Sequence, residues 1–296
     1  MSIFWPIWSD GVAVWWGFLL TVSAANITCL VLLLRLFRQQ KRGVWTMGIE
    51  PWGALCTAYV VGCAFRSVLP RADIQRICLF DTWFSTVLVG RSVATIAEIC
   101  FAIQWAIALR VIAVQARSDL AVSASKLVVP LIVLAECCSW YAVITTNYLG
   151  NAVENSLWAA TFLLIAAAAL PLVKEFHGLV RIAIAAALAG ITAYAVFMVT
   201  VDVPMYLGRW REELADGTPL FGLFGGLYDL GTRVVVTRDF AQWRDEIAWM
   251  SLYFSVAVWS SLALCAFGLV KDRLPQYCVN AARPVGWPRP GRTTAD

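Results

Sequence analysis

The sequence predicts an all-α fold, a polytopic transmembrane bundle of about seven spans. Three observations predict it. Of the 296 residues, 60% are hydrophobic and 14% charged, with mean hydropathy +0.72, whereas soluble domains run at roughly 45–50% apolar and about 25% charged. The apolar residues gather in runs of about twenty, the length that crosses a hydrocarbon core of about 30 Å. Basic residues gather in alternate short links between those runs, the pattern that sets orientation in a membrane.

The first span is expected at 12–37. The ten residues before it carry no Lys or Arg, so it lacks the basic leader of a cleavable signal peptide and reads as a retained helix. The others are expected at 51–69, 80–108, 126–147, 152–173, 179–201 and 247–270. Arg35, Arg38, Lys41 and Arg42 follow the first. Arg110, Arg117 and Lys126 join the third to the fourth, Lys174 and Arg181 flank the fifth-to-sixth link, and Lys271 and Arg273 follow the last. These share one side if the N-terminus lies outside and the C-terminus in the cytoplasm. Arg66, Arg71 and Arg76 fall on the outer side against that rule, which is a reason to give them a task.

Residues 1–275 thus read as one transmembrane domain, and 276–296, with Pro284, Pro288, Pro290 and Gly291, as a flexible cytoplasmic tail. The connection 202–246 is too long for a plain loop. It holds Trp210, Trp243 and a glycine-aromatic run at 221–228, and is expected to form an extracytoplasmic cap. The chain is expected to be a multi-pass integral membrane protein of the bacterial inner membrane or its equivalent.

Composition also excludes functions. A formal charge of +4 spread along the chain gives no footprint for nucleic acid. Nine cysteines without a CxxC pair do not form a disulfide framework. The single histidine, His177, argues against haem, zinc and a His-box di-iron centre, which need several imidazoles; no metal or other cofactor is expected. The third span ends without an Asp-Arg-Tyr signature, the last lacks Asn-Pro-x-x-Tyr, and Lys271 stands at the end of its span. These features argue against a receptor and a retinal protein.

The chemistry is expected where charge enters the apolar runs. A charged residue at mid-membrane costs roughly 2.5–3.5 kcal/mol on insertion scales. Glu98 and Arg91 lie seven residues apart on the third span, about 20° apart around the helix, with Thr95 between them. Asp81, Ser85 and Ser92 are expected on the neighbouring strip. On the fourth span Glu136, Trp140, Val143 and Asn147 share a face, and Glu136 lies at the depth of Glu98. Asn147, Asn151, Glu154, Asn155 and Asp202 are expected at the outer ends of spans four to six.

Two carboxyls near one guanidinium can work as acid and base, and arginines suit phosphate or carboxylate. The sequence therefore points to a membrane-embedded enzyme acting on an anionic lipid or isoprenoid-like molecule. Glu98 and Glu136 would be catalytic. Arg91, Arg66, Arg71, Arg76, Asp81, Thr95, Trp140, Asn147, Glu154, Asn155 and Asp202 would bind the substrate. A proton-coupled transporter and a subunit of a membrane complex are the alternatives. The expected partners are membrane lipids, an amphipathic small molecule, and a homo- or hetero-oligomer packed through the small-residue faces of spans five and six.

Overall fold

The computed structural model describes residues 10–40 and 51–279; Lys41, Arg42 and the tail from 280 onward lie outside the described residues. The helices are α1 (Asp10–Gln40), α2 (Pro51–Val68), α3 (Val87–Gln115), α4 (Asp119–Thr145), α5 (Tyr148–Ala169), α6 (Gly178–Phe197), α7 (Val203–Asp216), α8 (Leu223–Thr232), α9 (Phe240–Leu252) and α10 (Val258–Val270). Between α2 and α3, β1 (Arg71–Ala72) and β2 (Ile77–Cys78) pair antiparallel, and β3 (Val235–Val236) joins β2 in parallel. π-helical turns at Met198–Asp202 and Tyr253–Ala257 join α6 to α7 and α9 to α10.

Among the described residues, six helical stretches are long and apolar enough to cross a membrane: Gly11–Gln39, Val87–Gln115, Asp119–Thr145, Tyr148–Glu175, Gly178–Asp216 and Phe240–Tyr277. The chain is a multi-pass integral membrane bundle. Its charges are arranged to suit lipid: Ile96, Leu134, Leu163, Val196 and Trp259 face outward, while Arg91, Glu98 and Glu136 are buried. The shorter α2, which carries Pro51, Trp52, Tyr59 and Arg66, is not among the six, yet it packs between α1, α3 and α10.

Local chemistry moves several boundaries. The third helix begins at Val87, not near 80. Residues 83–85 form a tight 3₁₀ turn, the Thr82 and Ser85 hydroxyls bond at 3.0 Å, and the Thr86 hydroxyl donates to the Trp83 carbonyl. Such local bonds compete with helix. Asp81 is therefore exposed and off the helix, and the expected strip of Asp81, Ser85 and Ser92 does not form. Asn147 is likewise not on the fourth helix: it caps the fifth, its Oδ1 accepting from the Leu149 N–H at 3.0 Å.

The segment 202–246 is mostly helix. α7 continues α6 because Arg, Glu, Leu and Ala sustain a helix whatever their polarity, and Gly217, at φ 66°, stops it. α8 then packs on the C-terminal end of α4, where the Gly226 backbone lies against the Ile144 carbonyl with no room for a side chain.

An aromatic layer crosses the core. Tyr194, Phe162, Trp105, Phe101, Tyr59 and Tyr253 follow one another with ring centroids 4.5–6.3 Å apart. On α3, Phe101 and Trp105 come one to two turns after Glu98. The layer thus walls off the charged residues from the C-terminal half of α3.

Candidate functional site

α3, α4 and α5 are consecutive antiparallel neighbours, and each brings one carboxyl to the same place. Nη2 of Arg91 donates to Glu136 Oε2 at 2.7 Å and to Glu98 Oε2 at 3.0 Å, and approaches Glu154 Oε1 at 3.3 Å. All four residues are at most 6% exposed. The axial offset of seven residues, about 10 Å between Arg91 and Glu98, is bridged by the length of the two side chains. One Nη carries two hydrogens, so three carboxylates compete for it.

A second ring of donors fixes the triad. Tyr253, in the π turn before α10, donates its hydroxyl to Glu98 Oε1 at 2.8 Å. Thr95 donates to Glu136 Oε2 at 2.6 Å and accepts from Trp140 Nε1 at 3.0 Å. Asn151 donates to Glu154 Oε2 at 3.0 Å. Glu98 and Glu154 thus have both oxygens engaged. Glu136 Oε1 is buried and has no hydrogen-bond partner among the described residues. One oxygen from each glutamate lies within 4.8 Å of the others, close enough to hold one cation. Arg91 already supplies a positive group there.

A second cluster stands at the N-terminal side of α3. Arg66, Arg71 and Asp73 meet where α2 runs into the hairpin. Arg71 Nε donates to Asp73 Oδ1 at 2.9 Å, and Arg66 Nη2 lies 3.7 Å from the same oxygen. Burial alone would raise the Asp73 carboxyl, but the guanidinium groups of Arg71, then Arg66 and Arg91, outweigh it and hold it at about 2. Burial pulls Arg71 below its ordinary value, against the pull of Asp73. Arg66 Nε and Nη1 and Arg71 Nη1 and Nη2 are buried without a hydrogen-bond partner among the described residues. Gly90 makes the seat: a Cβ there would stand 2.5 Å from Arg71 Nη1.

Arg76 is engaged on all sides. It bonds Asp229 at 2.8 Å, the Asp73 carbonyl at 2.6 Å and the Val143 carbonyl at 2.8 Å, tying the hairpin to α8 and α4. Its φ of 61° is uncommon for a side-chain-bearing residue. A polar file then leads outward. Gln75 reaches Glu246 at 3.4 Å, Arg209 reaches Glu246 at 3.5 Å and Asp245 at 3.1 Å, and Asp245 is exposed.

The fold therefore brings Arg91, Thr95, Glu98, Glu136, Trp140 and Glu154 together, with Arg66 and Arg71 beside them. Asn155 is buried on α5, and Asp202 is buried in the first π turn with Oδ2 unpartnered among the described residues. Asp81 stays apart. Sequence reasoning missed Tyr253, Asp73, Asp229 and Glu246. For Asp73 a signal existed, since it stands two residues from Arg71 in a turn. Tyr253 had none, being 155 residues from Glu98. Comparison of the chain with protein-family models, curated proteins and solved structures found no match.

Proposed function

We propose that this protein is a membrane-embedded enzyme in which Glu136 exchanges a proton with an anionic, amphipathic substrate whose head group rests on Arg66 and Arg71. The observation that carries this reading is an imbalance of charge. If all groups ionise, three carboxyls face Arg91 alone, leaving two negative charges in surplus, while Arg66 and Arg71 face Asp73, leaving one positive charge in surplus. A network built only to lock helices would neutralise itself, because an uncompensated buried charge costs several kcal/mol. Here an acid–base group with an unpartnered oxygen and arginines with unpartnered N–H groups are both buried, on either side of Arg91 and Gly90 of one helix.

In this reading Glu136 Oε1 carries the transferable proton. Glu98 and Glu154 hold Arg91 in place, with Glu98 as the second acid–base group. Arg91 offsets negative charge that develops on the substrate, and the aromatic layer keeps water from the far side. α2 is the seventh crossing, the N-terminus lies outside, and α7 to α9 form the outer cap over a bacterial inner membrane or its equivalent. Substrate enters from the outer leaflet.

General acid–base catalysis contributes about 10²–10⁴-fold. Membranes carrying wild type and Glu136→Gln are to be compared by lipid mass spectrometry. A species consumed or formed by wild type should change at least about 100-fold more slowly with Glu136→Gln, while the thermal midpoint of the purified variant stays put. Full turnover in both Glu136→Gln and Glu98→Gln ends the proposal.

The polar file from Gln75 through Glu246 and Arg209 to exposed Asp245, with a π turn at Tyr253, favours a second reading as a proton-coupled transporter. Proton uptake into protein-containing liposomes, driven by a pH gradient and lost in Glu136→Gln, would select it.

A further inference from the structure

We infer that Arg66 and Arg71 form a receptor for one phosphate monoester, a narrower class than the anionic head group proposed above and resting on that reading. An arginine Nε carries one hydrogen and each Nη two. Arg66 Nε and Nη1 and Arg71 Nη1 and Nη2, four nitrogens of this cluster without a hydrogen-bond partner among the described residues, thus hold seven N–H groups. Arg66 is 4% exposed and Arg71 2%. Buried charged donors left unmatched are costly, by about 1–3 kcal/mol each or more.

A carboxylate has about four lone-pair sites on two oxygens. Seven donors exceed them. A phosphate monoester has three strong terminal oxygens and about −1.5 to −2 charge at pH 7. It meets the donor count, and its charge is opposite in sign to the positive surplus. Arginine forks also match phosphate oxygens two at a time.

The site is built. Asp73 fixes Arg71 through Nε, and neither Nη group has a hydrogen-bond partner among the described residues. Gly90 leaves room for the guanidinium on the side towards α3. Arg91, the next residue on α3, begins the triad, so the two clusters adjoin along that helix. Arg76 takes no part, since Asp229 and two carbonyls occupy it.

The test is direct binding to the full chain in neutral detergent, by calorimetry. The probes are inorganic phosphate, dihexanoyl phosphatidic acid, dihexanoyl phosphatidylcholine and acetate. Wild type should bind the first two at least tenfold more tightly than the last two. Arg66→Gln and Arg71→Gln should each weaken phosphate binding at least tenfold. Gly90→Ala keeps both charges but displaces the Arg71 guanidinium, and should weaken it too. Glu136→Gln should bind phosphate as wild type does, which separates this site from the triad: loss of turnover with retained binding supports both.

Phosphatidic acid binding tenfold tighter than phosphate assigns a lipid head group; parity assigns a soluble phosphate compound. Acetate binding as tightly as phosphate in wild type overturns the inference whether or not any variant folds. So does phosphate affinity unchanged in both arginine variants. Either result leaves the acid–base reading to its own turnover assay.

Discussion

At the scale of single residues, the site separates groups that hold from groups that are left free. Glu98 and Glu154 spend both oxygens on donors, and Glu136 spends one. Tyr253→Phe should remove one donor from Glu98, loosen Arg91 and cost about 1.5–3 kcal/mol if that carboxyl is ionised, read as a lower unfolding midpoint in detergent. Asp73 makes a prediction in pH. Its folded value of about 2 lies below the unfolded value near 3.8, so the ionised form favours the fold. That stability is complete above the unfolded value and is lost as pH falls through the folded one. It amounts to about 2 kcal/mol by linkage. Asp73→Asn should lower stability at neutral pH and lose this part of the decline between pH 4 and 2, measured as midpoint against pH. Glu98, Glu136 and Arg91 were legible in the sequence because charge in an apolar run has few explanations. Glu154 read as an outer-end group because its helix was expected to start at 152; with the true start at Tyr148 it falls one turn deeper.

At the scale of elements, helix periodicity placed Glu98 and Glu136 on facing strips, and α3 and α4 do face one another. The weak points were the ends. Hydroxyl groups at 82–86 and Asn147 make bonds that end or begin helices, and hydropathy does not register them. Charge in Arg209–Asp216 hid a helix whose backbone is indifferent to that charge. α8 is tied to the rest of the bundle by the Arg76–Asp229 bond, by buried Leu230 and by one close backbone contact. Gly226→Ala would force its backbone off the Ile144 carbonyl, and overpacking of this kind costs about 1–3 kcal/mol. Limited proteolysis should then cut between 217 and 222, the exposed stretch before α8, faster than in wild type.

At the scale of the whole molecule, composition alone sufficed for a membrane bundle, since apolar runs of this length have one common solvent. The count of crossings rests on α2, whose Arg66 and aromatic residues dilute its hydropathy for reasons of the interior. The proposed orientation predicts that a tag in the 217–222 link is reached by an impermeant label in intact cells, and that a C-terminal tag is reached only after lysis. The reverse pattern would place the arginine cluster on the cytoplasmic face.

The two longest rods carry a mechanical consequence. Gly178–Asp216 has 39 residues, about 58 Å at 1.5 Å each, roughly twice the thickness of a hydrocarbon core. Such a rod answers a thinner or thicker bilayer by changing its tilt, and its far end sweeps further than its middle. Arg209 rides near that end and grips Glu246 on the second rod. Lipid thickness would thereby work as a lever on the Gln75–Glu246–Arg209 contacts that hold the hairpin to the cap, so the same chain would run at different speeds in membranes of different composition.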